Sequence, residues 1–289
     1  MADYTFTQTS ALLLQGGGLR GCYTSGALDA LMEREIYFPT VAGVSAGALN
    51  AVNYLARQPG RSAQINLSYR HDPRYAGPLA MLQSRSVFGL DFILDKVKVE
   101  VPFDQKTYDE SPQRFIAVAT NLATGSAEYF EKAHCPEMMK AVTASASMPL
   151  VSLPVTIGGQ RYLDGGCDCP VPLYWAKSQW FQKIVVISTQ HRGYRKPMPS
   201  QTMIDRYHDF YSGSPRFFDT LLTMDVHYNS LMDEMDMLHD AGKIFVLYPS
   251  APITIDRMEG DTDKLLALVN QGRRDLFAAL DEMKAYLER

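Results

Sequence analysis

Two short apolar runs near the front of the chain each break off at a glycine-framed turn. This pairing restricts the fold more than any other feature of the sequence. The first run is Ala11-Leu12-Leu13-Leu14, followed by Gln15-Gly16-Gly17-Gly18-Leu19-Arg20-Gly21. The second is Tyr37-Phe38-Pro39-Thr40-Val41-Ala42, followed by Gly43-Val44-Ser45-Ala46-Gly47. After the first turn, residues 22–35 read as a helix carrying Leu28, Leu31 and Met32; after the second, residues 47–57 read as a helix rich in small residues. Two strand–turn–helix units in succession predict a parallel strand pair joined by a right-handed crossover. Ligands of such sheets collect beyond the carboxyl ends of the strands, so both turns belong on one edge.

Bulk properties narrow the function classes. The 289 residues are 46% apolar and 21% charged, enough for a sizeable core without disulfides or metals. A formal net charge of −4 gives no electrostatic case for nucleic-acid binding. Cys22, Cys135, Cys167 and Cys169 are too few and too irregular for a disulfide scaffold, and they fit a reducing compartment. His134-Cys135 and Cys167-Asp168-Cys169 lack the paired spacing of a structural zinc site, so no metal or other cofactor is expected. Residues 1–8 show neither the basic nor the apolar segment of a secretory leader, and no run is long enough to span a bilayer. A cytoplasmic location is the expectation.

Further along, Pro59, Gly60, Pro73, Gly77, Pro78, Gly89, Pro102 and Pro112 break residues 59–113 into short apolar pieces such as Phe88–Leu94. An insertion of this kind over a catalytic edge is expected to form a lid or a substrate-binding wall. Strands are expected over 114–120 and 183–188, with hairpins into 128–130 and around Gly158-Gly159. Helices are expected over 136–147, 215–240 and 262–288, and a further strand over 243–248 that could join the same sheet. One domain over residues 1–289 is therefore expected, with the C-terminal third an extension of unassigned role.

The chemistry concentrates in the turns. Gly43-Val44-Ser45-Ala46-Gly47 is a G-x-S-x-G in which small neighbours let a strand turn sharply into a helix, raising the serine hydroxyl. Gly16, Gly18 and Gly21 also satisfy G-x-G-x-x-G, the dinucleotide pattern. That pattern wants an acidic residue ending the second strand, where this chain has the serine turn. The same glycines suit an oxyanion hole, their N–H groups converging on one point beside the fixed charge of Arg20. A serine nucleophile needs a base. Of the six histidines, only His191, after the strand 183–188, stands near the catalytic edge. Asp164, in Leu163-Asp164-Gly165-Gly166, taken alone reads as an ordinary Asp-Gly turn.

Together, the glycine turn with its arginine, the serine elbow and the later Asp-Gly-Gly resemble the patatin-like phospholipase family, in that family's order. Ala144-Ser145-Ala146-Ser147-Met148-Pro149-Leu150 is similar to its helix-to-proline block. The resemblance covers roughly residues 11–190. It implies a three-layer α/β/α fold with a central, mostly parallel sheet, and a Ser45–Asp164 dyad hydrolysing acyl esters of lipids. Gly17 and Gly18, flanked by Gly16, Gly21 and Arg20, would hold the oxyanion. The elbow glycines Gly43 and Gly47, with Gly165 and Gly166, would frame the dyad. The implied substrate is a lipid or acyl ester, met in transient contact with a membrane surface. Two alternatives are a Ser-His-Asp esterase and a nucleotide-binding regulatory module built on the first turn.

Overall fold

The computed structural model describes residues 9–84, 86–90, 92–93 and 97–289, the side chains of Ser84 and Lys98 aside. The N-terminal segment 1–8 lies outside the described residues, as do Asp91 and Leu94 of the apolar piece at 88–94. Strand β1 (Ser10–Leu14) runs through the first glycine turn into helix α1 (Gly21–Glu33). β2 (Thr40–Val44) then leads into α2 (Ala46–Leu55). The insertion folds as four short helices, α3 (Arg61–Ser68), α4 (Pro78–Ser84), α5 (Val97–Glu100) and α6 (Gln105–Glu110). β3 (Arg114–Asn121), β4 (Ala127–Glu131), α7 (Met138–Ser145), β5 (Val155–Ile157) and β6 (Gln160–Asp164) follow. The chain closes with α8 (Leu173–Ser178), β7 (Lys183–Ile187), α9 (Gln201–Tyr211), α10 (Pro215–Asp240), β8 (Phe245–Leu247) and α11 (Thr262–Glu288).

The hydrogen-bonded strand order is β5-β6-β3-β2-β1-β7-β8, with β4 on β3 off that path. Strands β3, β2, β1, β7 and β8 are mutually parallel; β4, β5 and β6 are antiparallel additions. Parallel strands must be covered on both faces, which explains their near-continuous apolar runs. Alternate residues divide between two cores. Leu12, Leu14, Val41 and Phe115 face a layer containing α1, α2, α7 and α11. Ala11, Leu13, Val44 and Val118 face Leu173 and Ala176 of α8 and Tyr228, Leu231 and Met235 of α10. The architecture is three layers, α/β/α. Helix starts are set by local chemistry: Ser200 caps α9, Asp261 caps α11 and Pro215 opens α10.

Two strands share one edge of β3, and this arrangement positions the site. β4 pairs with Ile116–Thr120 and so fills one edge. β2 pairs with Arg114–Val118, and β6 with Ala119–Asn121. A strand has only two edges, so β2 and β6 lie end to end along the other. The last β2 rung is Val44 opposite Val118, and the first β6 rung is Asp164 opposite Ala119. Ser45, one residue beyond Val44, is therefore brought against Asp164.

Helices α8 and α9 were not anticipated from the sequence. The C-terminal helix packs closely along α1: a Cβ on Gly26 would lie 1.9 Å from the Val269 carbonyl oxygen, and one on Gly272 would lie 2.0 Å from that of Tyr23. Neither backbone can yield without separating the helices. Gly272→Ala should therefore cost about 1–3 kcal/mol or more, as overpacking does. Urea unfolding should show a lower midpoint at unchanged slope; an unchanged midpoint would contradict the tight crossing.

Candidate active site

The elbow follows from close packing. A Cβ on Gly43 would sit 2.6 Å from the Ala48 nitrogen, and one on Gly47 would sit 2.3 Å from the Leu14 carbonyl oxygen. With both side chains absent, α2 folds back against β1 and β2 immediately after Val44. Ser45 takes up the turn at φ 54°, ψ −124°, a conformation that non-glycine residues hold only where the surroundings enforce it. Its N–H donates to the Ser145 hydroxyl at 2.8 Å, at the end of α7. Its own hydroxyl donates to Asp164 Oδ2 at 2.6 Å.

Asp164 is held from several directions. Its N–H donates to the Ser147 carbonyl at 2.7 Å, and its carbonyl accepts from the Thr120 hydroxyl at 2.9 Å. The second carboxylate oxygen, Oδ1, accepts from the Gly166 N–H at 2.8 Å, the local use of the Asp-Gly-Gly turn. The segment leaving α7 thus touches both partners, through Ser145 to the elbow and through Ser147 to the aspartate. Burial raises the Asp164 carboxyl above the ordinary carboxylate range. The hydrogen bonds from Ser45 and Gly166 and the charges of Arg257 and Lys196 oppose that rise without cancelling it.

The first glycine turn lies alongside. A Cβ on Gly16 would come within 2.9 Å of Ser45 Cβ, so the turn abuts the elbow. Leu19 N–H donates to the Arg257 carbonyl, and Arg20 Nε donates to the Gly17 carbonyl at 3.3 Å. The N–H groups of Gly17 and Gly18 have no acceptor among the described residues. Gly21 packs on Ala46, close beneath the elbow. Gln15 anchors the turn: its Oε1 accepts from Thr189 N–H at 2.7 Å and from the Ser188 hydroxyl at 2.9 Å. Thr189 in turn donates its hydroxyl to the Gly16 carbonyl at 2.5 Å.

Two cavities meet at Ser45, with Gly18 and Met148 lining both. One, of about 920 Å³ with its open mouth included, is mainly apolar: Leu49, Ile65, Phe88, Leu90 and Phe103 wall it, with Asn53, Arg61 and Asn66 among its polar lining. Nine of its 21 lining residues come from residues 59–113, the insertion over this edge. The other, of about 1180 Å³, contains Asp164 and extends toward α9 and α10. No histidine lines either one among the described residues. The His191 ring instead packs edge-on against Tyr194, with its Nδ1 buried and without a hydrogen bond. Gln15, Ser145 and Thr189 were missed by sequence reasoning. Gln15 could have been noticed as a polar residue ending a buried apolar run, and Ser145 from its place in the block before Pro149.

The model of the patatin-like phospholipase family matches residues 12–174. The chain belongs to this family. A second model, a domain of unknown function (DUF6363), matches residues 214–288. The Escherichia coli protein YjjU is 28% identical over 184 residues, covering 62% of this chain and 51% of that protein. An NTE family protein of Mycobacterium tuberculosis is 29% identical over 165 residues, covering 56% and 44%. A probable lipid hydrolase of invertebrate iridescent virus 6 is 24% identical over 213 residues, covering 64% and 71%. The chain spans about half the length of the first two relatives. Among solved structures, VipD from Legionella pneumophila aligns with a TM-score of 0.44 at 12% identity, over 96% of this chain and 67% of that one. The family match includes both glycine turns and Asp164 but stops short of α9, α10 and α11.

The raised Asp164 carboxyl has a measurable consequence. The folded state holds this proton more tightly than the unfolded chain does, so stability falls as pH rises from about 4 through the raised value. Asn at this position keeps the acceptor for Gly166, supplies a donor to Ser45 and cannot ionise. Asp164→Asn should therefore be more stable than the parent at pH 8, with the advantage fading as pH approaches 4. Denaturant midpoints across that range test this; an advantage independent of pH would refute it.

Proposed function

We propose that this chain is a serine lipid acyl hydrolase, working through a Ser45–Asp164 dyad and an acyl-serine intermediate. One observation carries the reading: the Ser45 hydroxyl donates directly to a buried carboxylate across 2.6 Å, with no imidazole between them. Asp164 accepts the proton as Ser45 Oγ bonds to the ester carbonyl carbon. The displaced electron pair moves to the carbonyl oxygen, where the free N–H groups of Gly17 and Gly18 can receive it. Donors of this kind are commonly worth about 10²–10³ in rate each. Arg20 contributes through its hydrogen bond to the Gly17 carbonyl, which holds the turn in shape. Collapse of the tetrahedral adduct expels the alcohol, which takes the proton from Asp164. Water, deprotonated by the same carboxylate, then releases the fatty acid.

A carboxylate near its unperturbed pKa of about 4 is a weak base at neutral pH. Burial of Asp164 moves it in the useful direction. The apolar cavity supplies the acyl site and the second cavity the alcohol site. The name of one relative, a probable lipid hydrolase, agrees with a lipid as substrate. No described helix is long and apolar enough to cross a membrane, so contact with lipid would be at a surface.

A fluorophosphonate probe should label Ser45 and no other residue. On a short p-nitrophenyl ester, Ser45→Ala and Asp164→Ala should lose about 10³-fold or more, whereas His191→Ala should remain active. The rate should rise with pH through a midpoint above the usual carboxylate range, because Asp164 must be ionised to accept the proton. A midpoint that disappears in His191→Ala would favour the Ser-His-Asp alternative. Saturable NAD or ATP binding without esterase activity would favour the nucleotide module.

A further inference from the structure

The cavity on the alcohol side of Ser45 is lined by four cations from four separate segments. Arg20 comes from the first glycine turn, Lys196 from the loop after β7, Arg206 from α9 and Arg257 from the loop between β8 and α11. Asp164 is the one carboxylate in the lining, and it is occupied by Ser45 and Gly166. Lys196 is 3.2 Å from Asp225 and lies over the Tyr228 ring. The guanidinium groups of Arg206 and Arg257 make no hydrogen bond or ion pair with any described residue. Burial first, and then the charge of Arg257, pull down the pKa values of both Lys196 and Arg20. These cations are thus near enough to repel one another, an arrangement that an anionic ligand would relieve.

Arg257 is not on a loose loop. Its carbonyl accepts the Leu19 N–H at 3.1 Å, beside the first glycine turn. On the other side, the Arg70 guanidinium donates to the carbonyls of Met258, at 2.6 Å, and Glu259. Gly18, at φ +59°, lets this loop approach so closely that a Cβ there would lie 2.6 Å from the Arg257 carbonyl oxygen. The guanidinium is therefore supplied to the cavity by an anchored backbone.

We propose that the alcohol part of the substrate is a glycerol phosphate without a compensating cation, and that Arg206, Arg257 and Lys196 bind its phosphate. This rests on the acyl-hydrolase reading above and adds the head-group class and the residues that select it. With the acyl chain in the apolar cavity and the ester at Ser45, the glycerol side enters the cationic cavity. Guanidinium forks match phosphate oxygens pairwise. A quaternary ammonium head would meet the same four positive charges and be disfavoured. Lys196, Arg206 and Arg257 all lie beyond the residues matched by the family model, so this selectivity would belong to the C-terminal part of the chain.

The test compares lysophosphatidic acid, lysophosphatidylcholine and monoacylglycerol of one chain length, as monomers at low salt. The parent protein should show kcat/KM for lysophosphatidic acid about ten-fold or more above the other two, the scale of hydrogen bonds to a charged group. In Arg206→Gln/Arg257→Gln this preference should collapse, mainly through KM, and Arg206→Lys/Arg257→Lys should restore part of it. Circular dichroism and melting establish that each variant is folded. A parent ratio near one, or a ratio unmoved in the folded glutamine variant, overturns the proposal.

A second arm does not depend on catalysis. Calorimetry on Ser45→Ala should detect glycerol 3-phosphate, with binding lost in the added glutamine pair. Inorganic phosphate binding as tightly as glycerol 3-phosphate would assign the site to free phosphate and overturn the head-group proposal. Arginine-dependent binding of glycerol 3-phosphate in a protein that hydrolyses none of the three esters would support the anion site while refuting the acyl-hydrolase reading.

Discussion

The site depends on the division of one edge of β3 between two strands. β2 occupies it as far as Val118, and β6 takes it over at Ala119 from the opposite direction. At the junction both strands end and both chains must leave the sheet, so two chain reversals face each other. The elbow at Ser45 is the first reversal and the Asp-Gly-Gly turn is the second. Their backbone groups cannot pair with each other as in a continuous strand, and the chain leaving α7 satisfies them instead. Ser145 takes the Ser45 N–H, and Ser147 takes the Asp164 N–H. The meeting of a hydroxyl and a carboxylate is thus a result of sheet topology. The strain at Ser45 is held by the same framework.

The first glycine turn is secured from a different direction. Gln15 extends the buried end of β1 and ties the turn to Ser188 and Thr189 beyond β7. The sheet therefore aligns three carboxyl ends, those of β1, β2 and β7, around one point. The C-terminal segment closes the remaining side. β8 pairs with β7, α11 lies on α1, and the loop between them hydrogen-bonds to Leu19. Residues far from the glycine turns in sequence thereby become part of the wall around Ser45.

The parts legible in the sequence were those with a short-range physical signature. Doubly covered parallel strands need continuous apolar runs, and β1, β3 and β7 fall within about two residues of where such runs predicted them. The elbow was visible because its glycines are demanded by contacts with Ala48 and Leu14 immediately around it. The helices of the insertion were not, because α3 to α6 are too short for a periodic pattern to emerge. α9 was missed although Met203, Tyr207 and Tyr211 recur at i, i+4 and i+8, because this narrow stripe is mostly tyrosine and the rest of the helix is polar. Nor could the sequence reveal that β6 shares an edge with β2, since strand pairing is set by distant partners. Lys196, Arg206 and Arg257 were invisible as a group, because a cation in the sequence gives no sign of the cavity it lines.

These cations and Asp164 are physically linked. Burial alone pushes the Asp164 proton affinity up, while Arg257 and Lys196 pull it back by favouring the ionised form. Together, the two effects keep the carboxylate above its ordinary range but short of what burial alone would produce. A phosphate bound to Arg257 and Lys196 would offset their positive charge and exclude water from the same cavity. Both changes would raise the affinity of Asp164 for a proton, which in the proposed mechanism it accepts from Ser45. A neutral acyl ester would leave the cations uncompensated and Asp164 the weaker base. Head-group recognition of the proposed kind would therefore bear on the chemical step as well as on binding, through the electrostatics of a single buried carboxylate.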